Sequence, residues 1–339
     1  MTFGRQCASP EPKPSAVFVS CSGYVLMPKL TGIIPPVVTP LIHHDQLDVA
    51  AVDRVCRHII AGGVSGLFVL GTTGEGPSVT YQIRYEMVER ACESTAGDVP
   101  VLVGITDSCF AESIHLAQHA AACGATAVVA AAPFYFPVAQ AELLAWFTKI
   151  ADESPLPLML YNMPGCVGVN LDVSAVVALA EHPNIIGVKD SSGDLPYFGR
   201  LCREFASDEE FAVFMGPEEL IPQAVTAGAD GGVCGGANLL PHVYVKLFNA
   251  ARQGREDLLH GQVSIVESVF ESIYRDPDKQ MNLIPALKLA MSLCGLCSAE
   301  TAPPLPALAA KHTLQVETRL PELLQSAESQ LVTSSTAGS

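Results

Sequence analysis

Positive charge is scarce in this chain. Lysine and arginine together number 19 against 35 aspartates and glutamates, a formal charge of −16 over 339 residues. That balance provides no electrostatic footprint for nucleic acid or for an anionic membrane surface. A GxGxxG turn after a first strand, the mark of a dinucleotide-binding sheet, is missing. So is a membrane-spanning run. The apolar patch near the N-terminus is short and interrupted, and the prolines and lysine before it make a poor signal peptide. "HLAQH" spaces His115 and His119 as helix-borne metal ligands would be, but it lacks the glutamate of the metalloprotease motif. "CGLC" (Cys294 to Cys297) has redox-like spacing, yet it follows a long helical stretch instead of the first strand of a βαβ unit. Eleven cysteines, an odd number, lie scattered in apolar helix-like segments. They read as reduced core residues of a cytoplasmic protein and not as a disulfide framework.

What the chain does have is rhythm. Short apolar runs alternate with longer amphipathic ones from Gly32 onward: "GIIPPVVT", "GLFVLG", "VPVLVGI", "TAVVAAA", "PLMLYN", "IIGVKD", "FAVFMG" and "ADGGVCG". Their low polar alternation suits strands covered on both faces. The intervening segments, such as "DVAAVDRVCRHIIAGG" and "YQIRYEMVERACEST", place apolar residues three and four apart, as amphipathic helices do. Eight such pairs in sequence predict an α/β protein, a (β/α)8 TIM barrel over residues 28–253. Residues 254–330 show only helical patterns and predict a C-terminal helical extension. Residues 1–27 are expected to be a disordered N-terminal extension, with Met27 an alternative start, and residues 331–339 a disordered tail.

In such a barrel the active site lies at the C-terminal strand ends. Reading only those ends collects "GTTGEG" with Thr72 and Thr73, "PFYFP" with Tyr135, "YNMPG" with Tyr161, and Lys189 followed by Ser191. It also collects "GPEE" with Gly216, Glu218 and Glu219, and "GVCGGAN" with Gly235. Each has an ordinary reading. Lys189 could be a strand end reaching water, and Tyr161 a core tyrosine. The two glutamates could favour a first helical turn, and the glycines could serve close packing or cradle a phosphate. Together they form a carbonyl-activating set. An amine in a dry cavity loses its proton more readily and attacks a ketone to give an iminium, an electron sink. A nearby phenol can carry protons. Two hydroxyls with backbone N–H groups suit a carboxylate.

"GTTGE", "PFY", "YNMP" and "GVKDSSGD", with the opening "GIIPPVVTPL" and the late "AGADGGVCGGAN", resemble the dihydrodipicolinate synthase and N-acetylneuraminate lyase family over about residues 28–315. The resemblance implies a class I aldolase or lyase. Lys189 would form a Schiff base with pyruvate or another 2-oxo acid, Tyr161 would relay protons, and Thr72 and Thr73 would hold the carboxylate. No metal or other cofactor would be needed. Tyr135 matches a tyrosine that in many members reaches a neighbouring subunit's site, implying a homotetramer built as a dimer of dimers. The resemblance also departs from the family at one place. Synthases that condense pyruvate with aspartate semialdehyde resemble "YNVPxRT", whereas "YNMPGCVG" puts Cys166 where the arginine clamp would stand, and a thiol cannot replace a bidentate cation. Glu218 and Glu219 fall where sialic acid lyases carry acids toward a hydroxylated tail, and Ser191 would touch the second substrate, as in the 4-hydroxy-2-oxoglutarate aldolase branch. The synthase proper, a 2-keto-3-deoxy sugar acid dehydratase and a non-catalytic 2-oxo-acid-binding barrel are the alternatives. The aldehyde partner is left open.

Overall fold

A computed structural model of the chain describes residues 28–336 and the dipeptides Phe18–Val19 and Val25–Leu26, with side chains for 28–330. The dipeptides pair antiparallel, Phe18 opposite Leu26. These four residues of the stretch expected to lack structure are therefore paired, and the rest of 1–27 lies outside the described residues.

The eight apolar runs form eight parallel strands: β1 (Gly32–Ile33), β2 (Leu67–Val69), β3 (Val101–Gly104), β4 (Ala127–Ala131), β5 (Leu158–Asn162), β6 (Ile185–Asp190), β7 (Ala212–Met215) and β8 (Gly231–Gly232). From β2 onward each strand pairs with the next, and β8 pairs with β1. The ring closes between β1 and β2 through one parallel bridge, Pro36 to Phe68. There Phe68 N donates to Pro35 O at 2.9 Å and Val37 N to Phe68 O at 2.8 Å. Pro35 and Pro36 have no N–H to donate, so β1 cannot continue as a regular strand. Asn238 compensates: its Oδ1 accepts from Val38 N at 3.0 Å and its Nδ2 donates to Pro36 O at 2.9 Å.

Eight helices pack outside: α1 (Val49–Ala61), α2 (Tyr81–Thr95), α3 (Phe110–Ala122), α4 (Gln140–Glu153), α5 (Val173–Ala180), α6 (Leu195–Glu204), α7 (Ile221–Ala227) and α8 (Pro241–Gln253). Local chemistry sets several of their starts. The side chains of Asp48, Thr80 and Asp194 accept from backbone N–H groups of the first turn of α1, α2 and α6, satisfying donors that a helix start leaves unpaired. Strand alternation sorts the core in two. Phe68, Leu102, Val129, Met159, Tyr161 and Phe214 fill the barrel interior, and a larger cluster lies between strands and helices.

The C-terminal extension comprises α9 (Glu256–Val269), α10 (Leu283–Leu293) and α11 (Ala310–Thr336). Helix α11 runs past the expected boundary at 330 to Thr336, and residues 337–339 lie outside the described residues. Among the described residues no helix is long and apolar enough to cross a membrane.

Candidate active site

Strand register places the central pair. Lys189 on β6 stands level with Tyr161 on β5 and Phe214 on β7. Both neighbours belong to the interior cluster, so Lys189 also turns inward, and it is only 4% exposed. Its Nζ lies 4.0 Å from the centre of the Tyr161 ring and 5.2 Å from that of Phe68. The reading of Lys189 as a strand-end lysine reaching water does not hold. The Tyr161 ring stands edge-on to Phe68, and its Oη is 3.1 Å from Thr72 Oγ1. Phenol and threonine thus share one hydrogen bond beside the amine.

The "GTTGEG" loop is held from two sides. Thr39 Oγ1 donates to Gly74 O at 2.5 Å. Glu75, in a left-handed conformation at φ +57°, is buried against Lys288 of α10, Oε1 to Nζ at 2.5 Å with both side chains fully enclosed. Its Oε2 accepts from Ala302 N at 2.6 Å. This ion pair fastens the extension to the loop bearing Thr72 and Thr73. The strand-end reading passed over it, because Lys288 lies in a helical stretch far along the chain. Asp190, next to Lys189 at the same strand end, has a role that the strand-end reading does not assign. It is fully buried and accepts from Asn162 Nδ2 at 2.7 Å, Ser192 N at 3.1 Å and Ser192 Oγ at 2.9 Å. Burial pushes its carboxyl up despite these bonds. It ties the ends of β5 and β6 together just beyond Tyr161 and Lys189.

Other expected residues take varied places. Thr73 is buried, and a Cβ on Gly235 would stand 3.8 Å from its Oγ1. Gly235 thus borders the threonine pair without being compelled by packing. Gly236 is compelled, since a Cβ there would meet Tyr244 Oη at 1.9 Å. At Gly216 a Cβ would meet Ser191 Oγ at 1.9 Å, so the glycine makes room for that serine. Glu218 requires a correction. It is buried, its Oε2 accepts from Gly236 N and its Oε1 from Tyr244 Oη, each at 2.7 Å, and burial pushes its carboxyl up. It braces the turn after β8 and does not present a carboxylate to sugar hydroxyls. Glu219 is exposed. Tyr135 is 75% exposed beside Phe136, on the loop after β4, outside the chain's own cavity.

A cavity of about 400 Å³ opens over the strand ends, with Thr72, Tyr161, Phe134, Met163 and Cys166 in its wall. The Cys166 thiol is pushed up by partial burial, with the Lys189 ammonium opposing. Away from this mouth, His119 Nε2 lies 3.5 Å from Cys123 Sγ and 3.5 Å from Glu89 Oε1 across α2 and α3. These three residues, without His115, are close enough together to hold a metal ion, among the described residues. They lie on α2, on α3 and at the C-terminal end of α3, apart from Lys189.

The sequence profile described as "Dihydrodipicolinate synthetase family" matches residues 29–323. A 4-hydroxy-tetrahydrodipicolinate synthase of Methanoculleus marisnigri is 32% identical over 84% of this chain and 96% of its own length. The structure of dihydrodipicolinate synthase from Bacteroides thetaiotaomicron is 40% identical, covers 87% of this chain and 99% of that one, and superposes with a TM-score of 0.84. YagE of Escherichia coli K12, solved in complex with pyruvate, is 31% identical over 86% of this chain and 98% of its own, with a TM-score of 0.80. A buried lysine beside a phenol at the mouth of an eight-stranded barrel, with this match over nearly the whole described chain, settles the assignment: the chain belongs to the dihydrodipicolinate synthetase family and is a lyase of the class I aldolase type.

Proposed function

We propose that Lys189 is the Schiff-base lysine and that the enzyme interconverts a 4-hydroxy-2-oxo acid with pyruvate and an aldehyde. The observation that carries this reading is the amine lodged 4.0 Å from the Tyr161 ring, with the phenol hydrogen-bonded to Thr72. In cleavage, Nζ attacks the C2 carbonyl and the carbinolamine loses water to give an iminium. Tyr161 takes the proton of the C4 hydroxyl and returns it when C3 is protonated, and the C3–C4 bond breaks with its electrons passing into the iminium as an enamine. The aldehyde leaves, C3 is protonated, and water releases pyruvate from Lys189. Thr72 and Thr73 hold the carboxylate. Ser191 and the backbone at Gly216 and Gly235 border the substrate. The iminium acts as the electron sink, so the sequence of steps uses no metal or organic cofactor, in keeping with the family's lysine chemistry.

Condensation with aspartate semialdehyde ranks second, because Cys166 presents a thiol where a second carboxylate would need a cation. Tyr135, solvent-facing within one chain, is proposed to complete a neighbouring subunit's site in a homotetramer. The nine free cysteines among the described residues support a reducing, cytoplasmic location.

Incubation with pyruvate and borohydride tests the reading. A permanent mass gain on the peptide bearing Lys189, lost in Lys189→Ala, is expected. No adduct, as for a binding barrel without chemistry, or an adduct surviving the substitution, refutes it.

A further inference from the structure

We propose that the aldehyde half of the substrate is apolar, an alkyl or aryl aldehyde in place of a polyhydroxylated or carboxylated one. This rests on the Schiff-base reading above and deepens it. Beyond Thr72 and Tyr161, the cavity wall is built largely from Leu70, Pro77, Met163, Val167, Ile284 and Leu305. The polar groups that reach it are mostly engaged. Thr106 Oγ1 accepts from Ala131 N at 2.9 Å. Both oxygens of Glu75 are taken, by Lys288 and by Ala302 N. Only Ser78 and the Cys166 thiol remain without such a commitment. No arginine or histidine stands among the wall residues, and Lys189, which lies behind the Tyr161 ring and not among them, is committed to the pyruvate half, so a second carboxylate would be buried without a counter-charge. Of the two acids expected to meet sugar hydroxyls, Glu218 is consumed by Gly236 and Tyr244, and neither it nor Glu219 belongs to the wall.

These facts set a preference. Each sugar hydroxyl pressed against this wall without a partner would lower kcat/KM about tenfold, whereas each methylene would raise it about fourfold until the space is filled. A cavity of about 400 Å³ is within the size range of small-molecule sites. The condensation balances. Pyruvate and Lys189 give the enamine with loss of one water. C3 of the enamine bonds to the aldehyde carbon, whose oxygen takes the proton of Tyr161. Water then hydrolyses the iminium, returning the amine and a 4-hydroxy-2-oxo acid with an apolar group on C4.

The test compares initial rates of condensation of pyruvate with propanal, butanal, pentanal and benzaldehyde against glyceraldehyde and succinic semialdehyde. Borohydride trapping at Lys189 is run alongside. The expected result is kcat/KM at least tenfold higher for pentanal and benzaldehyde than for the polar pair, rising along the alkyl series. Leu305→Ser should narrow that preference, and Ile284→Ser serves if the first variant folds poorly. Trapping at Lys189 with equal or better use of the polar aldehydes, or with no turnover of the apolar ones, overturns the substrate class while the Schiff-base reading stands. Absence of trapping overturns both.

Discussion

Replacing Lys288 with methionine isolates what the extension does for the site. Both Lys288 and Glu75 are fully enclosed, 2.5 Å apart. Methionine keeps much of the volume but removes the ammonium. It leaves Glu75 a buried carboxylate with one remaining donor, Ala302 N, and it strands the Glu300 carbonyl that Lys288 also serves at 2.5 Å. Breaking a buried pair from one side costs about 3–5 kcal/mol. At roughly 2–4 °C per kcal/mol for a large domain, the melting temperature should fall by roughly 6–20 °C. Replacing both partners with neutral groups is far milder, so Glu75→Gln with Lys288→Met should melt closer to wild type than Lys288→Met alone. Thermal unfolding followed by circular dichroism measures this. Because Glu75 closes the loop bearing Thr72 and Thr73, the KM for pyruvate should rise in the single variant. A Lys288→Met protein within about 1 kcal/mol of wild type, or a double variant no better than the single, would refute the assignment of the pair as the lock on that loop.

Three further outcomes follow from the geometry. Tyr161→Phe removes the proton carrier and the bond to Thr72 while keeping the ring beside Lys189. Turnover should fall about 10²- to 10⁴-fold with pyruvate still trapped on Lys189, as rate assays and mass spectrometry would show. Glu218 has its carboxyl raised by burial from 4.5. Its folded value thus exceeds its unfolded one, and its contribution to stability is present below about 4.5 and lost as pH rises through the folded value. Glu218→Gln should therefore gain stability relative to wild type as pH increases over that window, measured by urea unfolding at several pH values, and a pH-independent difference would count against it. Tyr135→Ala, on the exposed loop after β4, should weaken association and lower turnover together, which sedimentation and rate measurements at several protein concentrations can separate.

Much of the architecture was legible because strand and helix periods are local properties. Residues such as Val128, Val188 and Val213 lie in unbroken apolar runs, as strands buried on both faces must. Lys189 was conspicuous for the same reason, a charge closing such a run. The lock between Glu75 and Lys288 was not legible, because the partners stand 213 positions apart and no local pattern links a loop acid to one helix lysine. Glu218 was misread for the opposite reason. An exposed-looking pair of acids after a strand says nothing of Tyr244 closing over one of them.

From its sequence alone this protein was destined for eight alternating units and a lysine at the sixth strand end, which rest on residue type and spacing that chain connectivity carries unaided; its resemblance to the synthases added a thiol where an arginine would clamp a second carboxylate. Three-dimensional packing alone decided which polar groups remain free at the barrel mouth. Hydrogen bonds from distant segments occupy both oxygens of Glu75 and of Glu218, and the side chains left facing the cavity are mostly apolar.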